Sequence, residues 1–127
     1  MEIAQIIILS LSALLLTFVG IGRLSNPVKT YAKSSGINLP KDKDLMNEMR
    51  GIAAVMLTAG LMITLGIFIS EFRLTSIVIG ILIFLGFAIG RIISSSADGK
   101  PNKMIAQGLI FELVLGSANL VAFLLVF

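Results

Sequence analysis

Glu112 is the residue of this sequence best placed to do chemistry. It stands more than two turns inside an apolar run from Met104 to Phe127. A carboxylate at mid-membrane depth costs roughly 2.5–3.5 kcal/mol on insertion scales, so such a residue faces other helices and takes a partner. Gly108, Glu112, Gly116 and Asn119 share one face at helical spacing. Small and polar residues on one face mark a packed face, because polar side chains bond across helices there. The best partner is Arg91, in the last turn of the preceding apolar run. Its long side chain can reach Glu112, and Arg50 offers a second basic group at the same end. Arg23, Asn47, Glu48 and Asp98 complete the polar set there. Glu48 and Arg50 flank Met49, so they point to different faces of a helix.

Two kinds of chemistry fit this set. One is an ion-pair network that fixes helix register. The other is a polar mouth over an apolar cavity, suited to an amphiphile with a lipid-like tail and an anionic head held by Arg91 or Arg50. A carboxylate in such a place is also a candidate proton carrier.

Much other chemistry is excluded by composition. There is no Cys, so disulfides and thiol redox chemistry are absent. There is no His either, which removes the commonest metal ligand and the usual acid–base group near neutrality. No metal and no cofactor are expected. The net charge of +3 does not indicate nucleic acid, because the basic residues cluster beside apolar spans.

The elements that position these residues follow from hydropathy. Of the 127 residues, 57% are hydrophobic and 13% charged, against nearly half and a quarter in soluble domains. A spanning helix needs about 20 apolar residues. The runs near 3–22, 51–70, 74–93 and 104–127 qualify. They are too long and too uniform for strands. The sequence therefore predicts an all-α fold, residues 1–127 forming one integral membrane four-helix bundle. Glu2 stands where a signal peptide would carry basic residues, so the first run is read as a span. Glu71, Phe72 and Arg73 make a tight turn, giving one antiparallel hairpin.

Two longer connections remain. In the loop 24–50, Asn26 can cap a short helix, Pro27 fits its first position and Gly36 ends it. Val28, Tyr31 and Ala32 share a face, so this helix either lies on the headgroups or is a solvated loop helix. Asp42 or Asp44 can cap the second long helix, which starts a turn or two before the membrane. The loop from Ser94 to Lys103 holds the turn Asp98, Gly99, Lys100, Pro101. Asp98 could bond Arg91 or the first N–H groups of the fourth helix. Gly86 and Gly90 form a G-x-x-x-G pair, read as close packing inside the bundle. Ser10, Ala13, Thr17 and Gly20 give the first helix a similar small face.

Of the ten Lys and Arg residues, all but Arg73 fall at the end that carries the two longer loops. That end is expected in the cytoplasm and both termini outside. A weak repeat relates two hairpins. Ile21, Gly22 and Arg23 match Ile89, Gly90 and Arg91, and each set precedes a Pro-bearing loop and a helix with a Glu. It implies a pseudo-two-fold axis along the membrane normal.

Asn47-Glu48-Met49-Arg50-Gly51, Gly90-Arg91, Asp98-Gly99-Lys100-Pro101 and Glu112 carry a family resemblance. Together they resemble an uncharacterised bacterial family of small four-helix membrane proteins, catalogued as a domain of unknown function. More distantly the chain is similar to the DoxX-like group. The resemblance implies the fold and a bacterial inner membrane, and no activity.

Three functional readings stay open. The first is a protein without enzymatic activity that binds membrane lipid, another amphiphile or a membrane-protein partner, which includes a homo-oligomer. The second is a small proton-coupled transporter using Glu112. Small multidrug exporters carry their Glu in the first helix, where this chain has Gln5. The third is an intramembrane isomerase pairing Glu48 with Glu112.

Overall fold

The computed structural model describes residues 2–126. Among them every regular element is helical: α1 Glu2–Ser25, α2 Pro27–Ser35, α3 Lys43–Phe68, α4 Arg73–Asp98 and α5 Lys103–Leu124. A 3-10 turn, Ser70–Phe72, joins α3 to α4. α1, α3, α4 with that turn, and α5 are each long and apolar enough to cross a membrane. The shortest, α5, has 22 residues and is about 33 Å long at 1.5 Å per residue. Phe127, the last residue of the expected fourth span, lies outside the described residues.

The long helices pack as a ring: α1 on α3, α3 on α4, α4 on α5, and α5 back on α1. Glycine lets them approach. The α-carbon of Gly20 faces the backbone of Leu57, and Gly60 faces Thr17, which sets α1 and α3 antiparallel. Gly80 receives the Asn119 amide and Gly116 receives Leu85, setting α4 and α5 antiparallel in the same way. The shared core is small: Leu9, Leu16, Met56, Ile63, Ile77 and Phe84 are its largest members. The outer surface is more apolar than a soluble protein tolerates, with Phe18 81% and Phe68 80% exposed.

Helix α2 has the caps that its sequence predicts. Asn26 Oδ1 accepts from Lys29 N at 3.2 Å, Pro27 takes the first position, and Gly36 closes it at φ 65°. It is tied to α1 and to the start of α5. Thr30 Oγ1 donates to Gly22 O at 2.7 Å, and Asn102 Nδ2 donates to Ser35 O at 2.8 Å. These bonds lay α2 across the end of the bundle, with Pro27 and Ser35 buried.

Three local expectations are corrected. α4 runs on through Ser94 to Asp98, where the sequence predicts a loop. Ser95 Oγ bonds back to Arg91 O at 2.9 Å, so the serines serve the helix, and Gly99 at φ 105° ends it. Asp98 accepts from Ser94 Oγ at 3.0 Å, not from Arg91. Asn102, not Asp98, caps α5, accepting from Ile105 N at 2.9 Å. Gly86 and Gly90 are not packed inside the bundle. Ile77, Gly80, Phe84 and Ala88 form the buried face of α4, and the two glycines, offset from it, are exposed with open space beside them.

Candidate functional site

Antiparallel packing of α4 on α5 brings Arg91 level with Glu112. Arg91 Nε donates to Glu112 Oε1 at 2.7 Å, a charge-assisted bond of the strong kind. Glu112 is 9% exposed. Arg91 remains more open, and its other nitrogens have no protein partner among the described residues.

Arg23, at the end of α1, stands in the same layer. Its guanidinium lies 4.4 Å from the centroid of the Tyr31 ring, a cation–π contact. Its Nη1 lies 3.9 Å from Met56 Sδ. Its Nε is buried and has no hydrogen-bond partner among the described residues. An unmet buried donor is costly, so this nitrogen is poised for a partner.

Two hollows meet at these arginines. The first, about 240 Å³, reaches down among Leu15, Leu16, Phe84 and Phe111, with Arg23, Arg91 and Glu112 at its polar side. Ser34 and Ser35 of α2 lie over it. The second, about 320 Å³, opens between Ile52 of α3 and Gly86 and Gly90 of α4. Both are lined by Arg23, Ser35, Phe87 and Arg91.

The other residues singled out in the sequence stand elsewhere. Arg50 Nη1 donates to Leu24 O, and to Ser25 O at 3.3 Å. It places a cation on the C-terminal carbonyls of α1, where the helix dipole favours it. Arg50→Ala is therefore expected to lower stability within about 1 kcal/mol, as read by thermal unfolding. Asn47 and Glu48 are exposed, as is Asp98. Glu48 and Glu112 are thus not a pair, and the repeat that matches them is broken at its acids. Asn119 is fully buried but lines neither hollow. Its Nδ2 donates to Ser12 Oγ at 3.0 Å and to Leu115 O at 2.9 Å, tying α5 to α1. Its Oδ1 has no hydrogen-bond partner among the described residues.

Sequence reasoning missed Tyr31, Ser35, Phe87 and Gln107 as lining residues. Tyr31 had a usable signal, since it is the only Tyr and sits in a basic helix. Arg73 was missed as well. It bonds Gly66 O at 2.9 Å and Ile67 O at 3.3 Å, and pairs with Glu2 at 3.0 Å. It closes the C-terminal end of α3.

The fold and these hollows define a helical chain with four long apolar helices and a charged cavity at one end. The chain matches, over residues 3–123, a family described as a domain of unknown function (DUF4345), and it belongs to that family. No curated protein and no solved structure matches it.

Proposed function

We propose that this chain is an integral membrane protein that holds an amphiphile in its first hollow. The observation that carries the reading is the hollow itself. Its floor is aliphatic and aromatic, and its polar side holds Arg23, Arg91 and Glu112. Ligand sites are concave and mostly apolar, with few convergent polar groups. The buried, unpaired Nε of Arg23 supplies a donor for the ligand's head. The pairing of Arg91 with Glu112 favours a binding role over proton carriage, because the carboxylate is already held.

The hollow lies at the end with the Lys- and Arg-rich loops, which we place in the cytoplasm, with both termini outside. The cell membrane of a bacterium is the compartment that the family resemblance implies, and the distant likeness to DoxX-like proteins fits it. Two antiparallel hairpins, α1 with α3 and α4 with α5, then relate by a pseudo-two-fold axis along the membrane normal. Arg23 and Arg91, at matching ends of α1 and α4, line the same two hollows in keeping with that symmetry.

Native mass spectrometry of the purified protein tests the reading. The protein is expected to retain a ligand with an acyl chain or similar apolar body. Gly108 lines the hollow and has open space beside its α-carbon, so Gly108→Leu should fold and exclude the ligand. Arg23→Ala should weaken retention by at least about tenfold, as loss of one charged hydrogen bond costs about 1.5–3 kcal/mol and about 1.4 kcal/mol is tenfold. Unchanged retention in both folded variants would leave the arginines as an ion-pair layer that fixes register, and the reading would fail.

A further inference from the structure

We infer that the second hollow is a separate site, and that it takes the anionic headgroup of a membrane phospholipid. The inference shares the membrane placement argued above, but it does not need a ligand in the first hollow.

Charge separates the two hollows. Glu112 lines the first and offsets Arg91 there. The second is lined by Arg23 and Arg91 with no carboxylate among its described lining residues. Asp98, bonded to Ser94 Oγ, stands outside that lining and is exposed. The polar lining is Arg23 and Arg91 with Tyr31, Ser35 and Ser94, the last of which already donates its hydroxyl to Asp98. Guanidinium forks match phosphate oxygens in geometry and charge. Arg91 commits its Nε to Glu112, which orients the rest of the group. Arg23 is held against the Tyr31 ring. The donors are therefore fixed before any anion arrives, which limits the ordering cost of binding.

The other wall is apolar and bare. Gly86 and Gly90 are exposed on α4, and nothing lies within 4 Å of where their side chains would begin. Ile52 and Ile37 complete the rim. At the opposite end α3 and α4 are pinned together, with Gly66 against Ser76 and Arg73 bonded to Gly66 O. The cleft thus opens towards the basic end. A lipid with its phosphate at Arg23 and Arg91 would lay a chain down the cleft over Gly86. The leaflet on that side is the one rich in anionic lipid.

Tyr31 is the natural reporter for this hollow. It is the only Tyr, the chain has no Trp, and it lines the second hollow but not the first. The test places the protein in phosphatidylcholine bilayers doped with phosphatidylglycerol carrying brominated chains. Tyr31 emission should be quenched saturably. Brominated phosphatidylcholine should need about tenfold more lipid for the same quenching, the ratio that 1.4 kcal/mol provides. Gly86→Leu with Gly90→Leu should fold, because both positions are open, and should abolish the saturable quenching. Ile52→Phe narrows the same cleft from α3 and should weaken it if the leucine pair does not fold. Gly108→Leu, which blocks only the first hollow, should leave it intact. Equal quenching by the two lipids would overturn the inference. So would loss of quenching in Gly108→Leu, since the hollows would then act as one site. Unchanged retention in mass spectrometry when Gly108→Leu is added to the Gly86→Leu, Gly90→Leu variant, in which the second hollow is closed, would instead sink the earlier reading, and saturable quenching in Gly108→Leu alone would leave this one standing.

Discussion

Glu112→Ala is expected to destabilise the protein by about 3 kcal/mol, the lower end of the range for breaking one partner of a buried ion pair. The lower end applies because Arg91 keeps 26% of its side chain exposed and adjoins a hollow. The penalty comes mostly from the survivor. Arg91 Nε now spends its charge on Glu112 Oε1 at 2.7 Å, and without it the guanidinium has no carboxylate partner among the described residues. Glu112→Gln should cost less than half as much, because the amide oxygen can still accept from Nε. Unfolding by a denaturing detergent, followed by circular dichroism, gives the comparison. A double-mutant cycle sharpens it: in an Arg91→Ala background, Glu112→Ala should cost much less than alone. Additive losses would mean that the two residues do not support each other.

The pair was legible from sequence because two independent constraints met on it. Depth made a lone carboxylate expensive, and helical phase put Glu112 on the face shared with Gly116 and Asn119. Neither constraint reaches Arg50. Its position near the membrane surface is compatible with a ligand, with water or with a helix end, and only the fold shows it on the carbonyls of Leu24 and Ser25. Gly86 and Gly90 failed for a different reason. Their spacing is that of a packing motif, but both faces of α4 are apolar, so hydropathy cannot tell inward from outward. Lipid chains are as apolar as leucine, and the usual polar marking of the outer face is missing. A cavity beneath Arg91 and Glu112 is one of two readings of the charged set, and residue types cannot decide between it and tight packing. The first hollow arises where Leu15, Phe84 and Phe111 stop short of one another, which depends on helix spacing and not on residue type. Serines at the end of α4 misled because Ser favours loops, whereas here Ser94 and Ser95 bond within the helix.

The packing of α1 on α3 yields a prediction in which the same substitution changes sign between two positions. A β-carbon on Gly20 would lie 2.8 Å from Leu57 N and 3.0 Å from Leu57 Cα. Those are backbone atoms of a neighbouring helix, so no side chain can rotate away. Gly20→Ala must push α1 and α3 apart, and the contact between Gly60 and Thr17, which is on the same seam, opens with it. Overpacking of this kind costs about 1–3 kcal/mol, and the upper half is expected because two close contacts move together. Gly51 is in α3 as well, but it is exposed and has nothing within 4 Å. Gly51→Ala should instead stabilise by about 0.5–1 kcal/mol, through the helix propensity that glycine lacks. Measured in one detergent by one unfolding assay, the two variants should fall on opposite sides of the parent protein. If Gly20→Ala proved as harmless as Gly51→Ala, the helices would not approach at Gly20, and the ring that sets Arg23 beside Arg91 would have to be redrawn.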